Sequence, residues 1–472
     1  MKKEYTKIPK RIQKKRDAQE RKKDFEPIYY EFNEEEARTQ AKRCITCPID
    51  VLRGLNSEFS FCRTGCPLNN YIPQWIREVK RGDIKKAFEL SNETSPFPEI
   101  MGRVCPHDSL CQGACTISKT DHGSVSIGAI EVFITEEGFK RGYKPYYGED
   151  KKRKKRVAII GSGPAGMSCA TFLLRGGANV EIFEKSDRPG GLLTYGIPNF
   201  KLHKDVVFRR FELMKKAGLK LHLNTPIVTS RDFEKLIDEF DAVFIGVGAP
   251  NSRSAGIPNE DAKGVYHVMD VLTHAQKRVF KDFEDCILEG KKVVVLGGGD
   301  SAMDAVRTAV RSGAKKVTCV YRRDEENMPG SKKEVINAKE EGVKFMFNTA
   351  PKEIKTNEEN EVVSIVCQKT ELGAPDASGR RRIKVVENSD FEIDCDVVIM
   401  ALGFDNATFD WYEEAQIKTD KWGCPIVDNL YKTSNPKIYA GGDAVRGADL
   451  VVTAARDGRE AAFAILKDLG LK

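Results

Sequence analysis

The sequence predicts an α/β fold: a helical N-terminal domain organised around cysteines, followed by two Rossmann-like nucleotide-binding domains. Three observations predict it. Seven of the thirteen cysteines lie between Cys44 and Cys115, while the other six are scattered singly. The apolar run Val157-Ala158-Ile159-Ile160 ends directly in Gly161-Ser162-Gly163-Pro164-Ala165-Gly166, and the run Val293-Val294-Val295-Leu296 ends in Gly297-Gly298-Gly299-Asp300-Ser301-Ala302. A strand that runs straight into glycines and then a helix is the signature of a nucleotide-binding turn. Two such units require two domains, and 472 residues exceed what one core organises.

Residues 1–150 read as helical stretches (Glu34 to Arg43, Ile72 to Leu90, Ile127 to Phe139) broken by Cys, Pro and Gly, with little strand alternation. The basic run 151–156 reads as a linker. Residues 151–285 and 405–472 are expected to form one discontinuous nucleotide domain, interrupted by a second at 286–404. The net charge of +7 comes largely from the first 25 residues and the linker, which argues against a nucleic-acid footprint; residues 1 to about 25 read as disordered, as a partner contact or, by default, as a solvated tail that aids solubility. No apolar stretch approaches the roughly 18 residues of a membrane span. No secretory signal opens the sequence, so a cytoplasmic location with reduced thiols is expected rather than a disulfide framework.

The cysteines are spaced Cys44-x2-Cys47-x14-Cys62-x3-Cys66 and Cys105-x5-Cys111-x3-Cys115. Iron-sulfur clusters take four thiolates each, so these seven fall one short of two clusters and call for a non-cysteine ligand. Structural zinc at paired cysteines is the competing reading.

In the first glycine motif, Gly161, Ser162, Gly163, Pro164, Ala165 and Gly166 are placed to receive a pyrophosphate at a helix N-terminus, and Glu184 ends the next strand where it can accept from ribose hydroxyls. The second motif offers Gly298, Gly299, Asp300 and Ser301, but its next strand ends in Arg322-Arg323 instead of an acid. An acid there would repel a 2'-phosphate, whereas guanidinium groups bind one, so the site is expected to prefer NADPH to NADH.

Gly190-Gly191-Leu192, Gly246-Val247-Gly248 and Gly441-Gly442-Asp443 complete a set that resembles the two-dinucleotide flavoprotein disulfide-reductase superfamily. From about Glu26 onward the chain resembles glutamate synthase small subunits. The run from Gly297 to Gly342, with Tyr321-Arg322-Arg323-Asp324-Glu325-Glu326-Asn327-Met328-Pro329-Gly330-Ser331 inside it, is the most specific stretch. Gly102 to Pro106, Gly196 to Lys201 and Gly447 to Ala454 match as well. The N-terminal module of dihydropyrimidine dehydrogenase and the large subunit of ferredoxin-NADP transhydrogenases share the same plan.

That resemblance implies FAD, NADPH and two 4Fe-4S clusters. It assigns one cluster to Cys44, Cys47, Cys62 and Glu131, and the other to Cys66, Cys105, Cys111 and Cys115. It sets Val104, Gly191, Leu192, Lys201, Ile227, Gly442 and Asp443 against FAD, and Ala401, Leu402 and Gly403 beside the nicotinamide nucleotide. It implies an NADPH-dependent oxidoreductase without a catalytic side chain. Its electrons would go to the glutamate synthase large subunit, which makes L-glutamate from glutamine and 2-oxoglutarate, within a hetero-oligomer. A transhydrogenase or sulfide-dehydrogenase-type subunit is the alternative. The stretch 48–61 is longer than the family pattern by about ten residues, a length that loop insertion tolerates. A thioredoxin-reductase-like dithiol enzyme needs a Cys-x-x-Cys in the nucleotide domains, and residues 151–472 contain none. A zinc-stapled NADPH sensor without catalysis remains as the non-enzyme reading.

Overall fold

Helix α1 (Glu34–Ala41) begins at Asn33, whose side chain accepts from the Glu36 amide while the Glu36 carboxylate accepts from the Asn33 amide. This reciprocal cap satisfies two amides that the first turn would leave bare. The single helix expected from Ile72 to Leu90 is two helices. Helix α2 (Ile72–Arg81) stops at Gly82, whose φ of +86° suits glycine, and α3 (Ile84–Thr94) starts under the Asp83 side chain, which accepts from the Lys86 amide. Helices α4 (Pro98–Val104) and α5 (Ile127–Lys140) complete the domain. Buried residues lie all round α5, so it runs through the domain centre, packed with Trp75, Ile76, Val79 and Phe88. The computed structural model describes residues 4–47, 60–375 and 381–471, and most of the expected insertion, 48–59, lies outside the described residues.

The first nucleotide domain comprises β1 (Arg156–Ile160), α6 (Pro164–Gly176), β2 (Asn179–Phe183), α7 (Lys204–Lys216), β3 (Lys220–His222) and β4 (Ala242–Ile245). A short strand β5 (Asn251–Ser252) then leads into the second domain, built from β6 (Val265–His267), β7 (Lys292–Leu296), α8 (Asp300–Arg311), β8 (Lys316–Val320), α9 (Lys332–Glu340) and β9 (Lys344–Met346). An antiparallel sheet follows, from β10 (Thr349–Thr356), β11 (Val362–Pro375), β12 (Arg381–Val385) and β13 (Phe391–Asp394), before β14 (Val397–Met400) re-enters the parallel sheet. Strand β15 (Phe404–Asp405) pairs back onto β5, and β16 (Ile438–Ala440) and α10 (Val451–Asp468) return the chain to the first domain. The two parallel sheets have the orders β16-β4-β1-β2-β3 and β6-β14-β7-β8-β9. In each, the strand that feeds the glycine turn is central, so the turn sits where strand order reverses and a crevice opens. The second domain begins earlier than residue 286. Its edge strand is β6, and Val268, Val271 and Leu272 just beyond it pack into that domain's core.

Helix α10 lies directly on α6. A Cβ at Gly458 would stand 2.0 Å from the Ala165 carbonyl oxygen and 3.0 Å from the Cys169 nitrogen, so only glycine permits this approach. Replacing Gly458 by Ala should push the helices apart at a cost of about 1–3 kcal/mol. Because the displaced end of α6 carries the first glycine turn, flavin retained per purified chain should fall together with the melting temperature.

The N-terminal residues are not a solvated tail. The Gln40 amide donates to the Pro9 carbonyl at 3.2 Å, Lys15 and Tyr29 form an antiparallel bridge, and Arg21 is 1 % exposed against the second nucleotide domain. Basic residues in this stretch find acids more than three hundred positions away, exposed Glu340 and buried Glu341, which composition cannot reveal. Among the described residues, no helix is long and apolar enough to cross a membrane.

Candidate functional site

In the first glycine motif, Gly161 has φ +94° and lies back to back with Gly246, while Gly163 caps α6 with open space where a side chain would stand. The free amides of the first turn of α6 therefore face an unobstructed cradle, which suits a pyrophosphate. Glu184 is buried and holds this loop: Oε2 accepts from the Ser162 amide at 2.9 Å and from Ser162 Oγ at 2.5 Å, and Oε1 accepts from the Ser186 amide at 2.9 Å. Ser162 Oγ in turn accepts from the Gly190 amide at 2.8 Å, tying the Gly190-Gly191 turn to the first motif. Pro164, Ala165 and Gly166 form the first turn of α6.

Across this cradle, Gly442 precedes Asp443. Asp443 Oδ1 is buried without a hydrogen-bond partner, and burial pushes the carboxyl up to about 7. A buried acceptor with nothing to accept from fits a ligand hydroxyl, as the ribityl chain of a flavin offers. Val104 ends α4 and packs with Cys105 against the first domain's core, which joins the cysteine domain to this crevice. Leu192 is 43 % exposed, and Ile227 is buried on the face of β1 and β4.

Lys201 is not solvated. Its Nζ donates to Asp304 Oδ1 of α8 at 2.7 Å, linking the two nucleotide domains. Burial pushes the Asp304 carboxyl up to about 6 despite the ammonium beside it. Asp304 escaped the sequence reading because it lies on a regular helix with no local motif around it.

In the second glycine motif, Gly299 caps α8 with the same open space that Gly163 leaves. Gly298 packs on the Tyr321 ring, the Asp300 carboxylate accepts from the Ser331 amide at 2.9 Å, and Gly330 donates to the Gly298 carbonyl. Ser301 lies in the first turn of α8, and Ala401-Leu402-Gly403 follow β14, with the Ala401 carbonyl against Gly297. Arg322 is exposed at the end of β8, whereas Arg323 is buried and donates through Nε to the Arg381 carbonyl at 2.9 Å.

The electrostatic neighbours of the cysteines favour two sets divided differently from the partition that the resemblance implies. Cys44 faces Cys115 and Cys47, Cys62 faces Cys44, Cys115 and Cys47, and Cys47 Sγ lies 3.2 Å from Thr116 Oγ1 beside Cys115. Cys105 feels Cys66 and Glu131, and Cys111 feels Cys66, Cys105, Glu131 and, most weakly, Cys62. These neighbours favour the sets Cys44, Cys47, Cys62 and Cys115, and Cys66, Cys105, Cys111 and Glu131. Helix α5 delivers Glu131, 5 % exposed, and its Oε1 accepts from Asn70 Nδ2 at 2.7 Å. Burial pushes the Cys44 thiol up to about 11, the Cys62, Cys105 and Cys111 thiols well above the usual thiol range, and the Glu131 carboxyl up to about 8. Such groups keep their protons unless a cationic centre replaces them. A zinc ion needs its thiolates about 2.3 Å from one centre. A four-iron cube takes four donors spread around a wider centre.

Comparison with known proteins agrees with this architecture. Residues 155–458 match the family pyridine nucleotide-disulphide oxidoreductase, and residues 21–143 match dihydropyrimidine dehydrogenase domain II, 4Fe-4S cluster. The chain is 49 % identical over 96 % of its length to the putative oxidoreductase AegA of Escherichia coli, of which it spans 68 %. It is 46 % identical to the glutamate synthase (NADPH) small chain of Escherichia coli, covering 94 % of both chains. Among solved structures, Mycobacterium tuberculosis FprA in complex with NADPH shares the fold at a TM-score of 0.57 and 21 % identity, over 67 % of this chain and 85 % of that one.

Proposed function

The chain belongs to the glutamate synthase small-chain family of pyridine nucleotide-disulphide oxidoreductases, and from that premise we propose that it is the NADPH-oxidising subunit of a heteromeric complex, delivering electrons to a partner subunit. Its cofactors are FAD, NADPH and 4Fe-4S clusters, two of them in this proposal. The observation that carries the reading is the joining of two four-donor sets to two open glycine cradles in one chain. When bound, the flavin supplies two-electron acceptance and the clusters one-electron transfer.

The chain's own residues bind, orient and exclude water. The amides of Gly163, Ala165 and Gly166 would receive the FAD pyrophosphate, with Gly161, Ser162 and Pro164 shaping the turn; Glu184 holds this loop and would face the ribose, and Asp443 would accept from the ribityl chain. Val104, Gly191, Leu192, Lys201, Ile227 and Gly442 border the flavin. Gly298, Gly299, Asp300 and Ser301 receive NADPH, with Ala401, Leu402 and Gly403 alongside and Arg322 and Arg323 at the 2'-phosphate. Cys44, Cys47, Cys62 and Cys115 hold one cluster, and Cys66, Cys105, Cys111 and Glu131 the other. No side chain is assigned as acid or base, because positioning provides the catalysis.

The proposed partner is the glutamate synthase large subunit. A transhydrogenase- or sulfide-dehydrogenase-type role is the second reading, favoured by the x14 spacing between Cys47 and Cys62, which changes the chain next to the Cys44 set. The deciding experiment measures iron, sulfide and FAD in the anaerobic protein, titrates it with NADPH, and offers glutamine with 2-oxoglutarate in the presence and absence of the large subunit. Glutamate formed only with that subunit supports the first partner. Reduction by NADPH without glutamate moves the partner to ferredoxin or a sulfur species, and zinc in place of iron sinks the proposal. In the same assay, replacing Arg322 and Arg323 by Ala should lower the NADPH-over-NADH preference by about 10- to 100-fold, the worth of one or two charge-assisted hydrogen bonds.

A further inference from the structure

The N-terminal arm touches all three domains. Near its start, the Arg11 amide donates to Gln40 Oε1 at 3.1 Å and Ser126 Oγ donates to the Arg11 carbonyl, so this end is tied to the cysteine domain. Residues 14–30 then fold back on themselves, with Arg16 donating to the Ile28 carbonyl and Tyr30 to the Lys14 carbonyl, and lie across the seam between the nucleotide domains.

On the NADPH side, Arg21 donates through Nε to Glu341 at 2.9 Å and through Nη2 to Glu340 at 2.7 Å, Lys15 reaches Glu340 at 2.7 Å, and Tyr29 accepts from Asn337 at 3.0 Å. On the flavin side, the Ile28 amide donates to the Phe200 carbonyl and Asn199 donates to the Phe25 carbonyl. Phe200 itself lies beneath the guanidinium groups of Arg307 and Arg311 of α8, at 4.5 and 4.0 Å, and the next residue is Lys201, paired with Asp304. The arm, the Asn199-Phe200-Lys201 loop and α8 therefore form one interlocked junction beside the flavin crevice.

We propose that residues 8–30 are a clasp that fixes the NADPH domain against the flavin domain, with Arg21 as a positioning residue for NADPH oxidation. This inference rests on the functional reading above. Two-pronged contact from a planar guanidinium fixes orientation as well as distance, which one ammonium cannot do. Holding the nucleotide domain in register matters because a misplacement of about 1 Å between reacting groups costs on the order of 100-fold in rate.

The test uses the full-length holoprotein and compares wild type, Arg21→Ala, Arg21→Lys and the milder double variant Lys15→Ala with Tyr29→Phe. Stopped-flow reduction by NADPH, the affinity for NADP+, FAD and iron content, and amide hydrogen exchange are measured on each. For Arg21→Ala the expected result is a reduction rate lower by at least about 10-fold, NADP+ affinity within about 2-fold, full cofactor content, and faster exchange confined to 199–204 and 332–341. Arg21→Lys should recover part of the rate, and the double variant should shift rate and exchange in the same direction by less. An unchanged rate with unchanged exchange overturns the clasp, and so does a loss explained wholly by NADP+ affinity or by missing FAD. Failure of the wild type to be reduced by NADPH would instead remove the functional reading, and the exchange comparison would still decide whether the arm holds the seam.

Discussion

Replacing Glu131 by Ala should cost the protein one cluster, lowering its iron from about eight to about four atoms per chain while FAD stays in place. Glu131 lies on α5, whose buried surround gives a carboxylate no water to turn towards. Its neighbours are Cys66, Cys105 and Cys111, a set of three thiols that lacks a fourth donor. Glu131→Gln, which keeps an oxygen at the same place, should retain more iron than Glu131→Ala. Full iron in the alanine variant would remove Glu131 from the ligand set. The division of the cysteines is tested with the same readout. Losing Cys44 and Cys115 together should remove one cluster, whereas losing Cys66 and Cys115 together should remove both; the partition implied by resemblance predicts the reverse.

The spacing of the cysteines shows why this division was not legible in the sequence. Cys105, Cys111 and Cys115 look like one unit, yet the last of them turns towards Cys44 and Cys62, and its place beside Cys66 is taken by a residue from α5. Ligand sets drawn from separate segments are decided by how helices pack, and spacing carries no record of that. The glycine motifs were legible for the opposite reason. A strand, a tight turn and a helix N-terminus are contiguous, so Gly161 to Gly166 and Gly297 to Ser301 declare their geometry locally. Helix ends with local chemistry could also have been read. Gly82 followed by Asp83 is a stop and a start side by side, although the apolar spacing on either side suggested one helix. The edge strand β6 was invisible because three residues of strand carry no period of their own. The arm is hidden for a related reason: a basic segment is solvated by default, and its acidic partners, exposed Glu340 and buried Glu341, lie in another domain.

Replacing Glu341 by Ala should destabilise the protein by about 3–5 kcal/mol and lower its first melting transition by roughly 10 °C. Glu341 accepts from Arg307 Nε and Nη2 at 2.9 Å, from Arg311 Nη1 at 2.7 Å and from Arg21 Nε at 2.9 Å, all of them buried. Without it, Arg307 keeps Glu334 and Arg21 keeps Glu340, but among the described residues Arg311 is left with the Arg307 carbonyl as its hydrogen-bond acceptor, the Phe200 ring, and Asp24 as a charge that it does not hydrogen-bond. A buried guanidinium without a carboxylate is the costly state, whereas the intact set balances three cations with three acids. Glu341→Gln keeps the shape and an acceptor, so it should fall between wild type and Glu341→Ala. Burial alone would push the Glu341 carboxyl up, but hydrogen bonds from Arg311 and Arg307 outweigh it and hold the group down at about 2. A carboxyl depressed in the folded state stabilises fully above its unfolded value near 4.5 and loses that contribution as pH falls towards 2. Thermal melts of wild type and Glu341→Ala from pH 7 to pH 3 should therefore differ most at neutral pH and converge on acidification. A gap that stays constant across that range would mean that the cost lies in lost packing, and that the ionic centre of the junction contributes little.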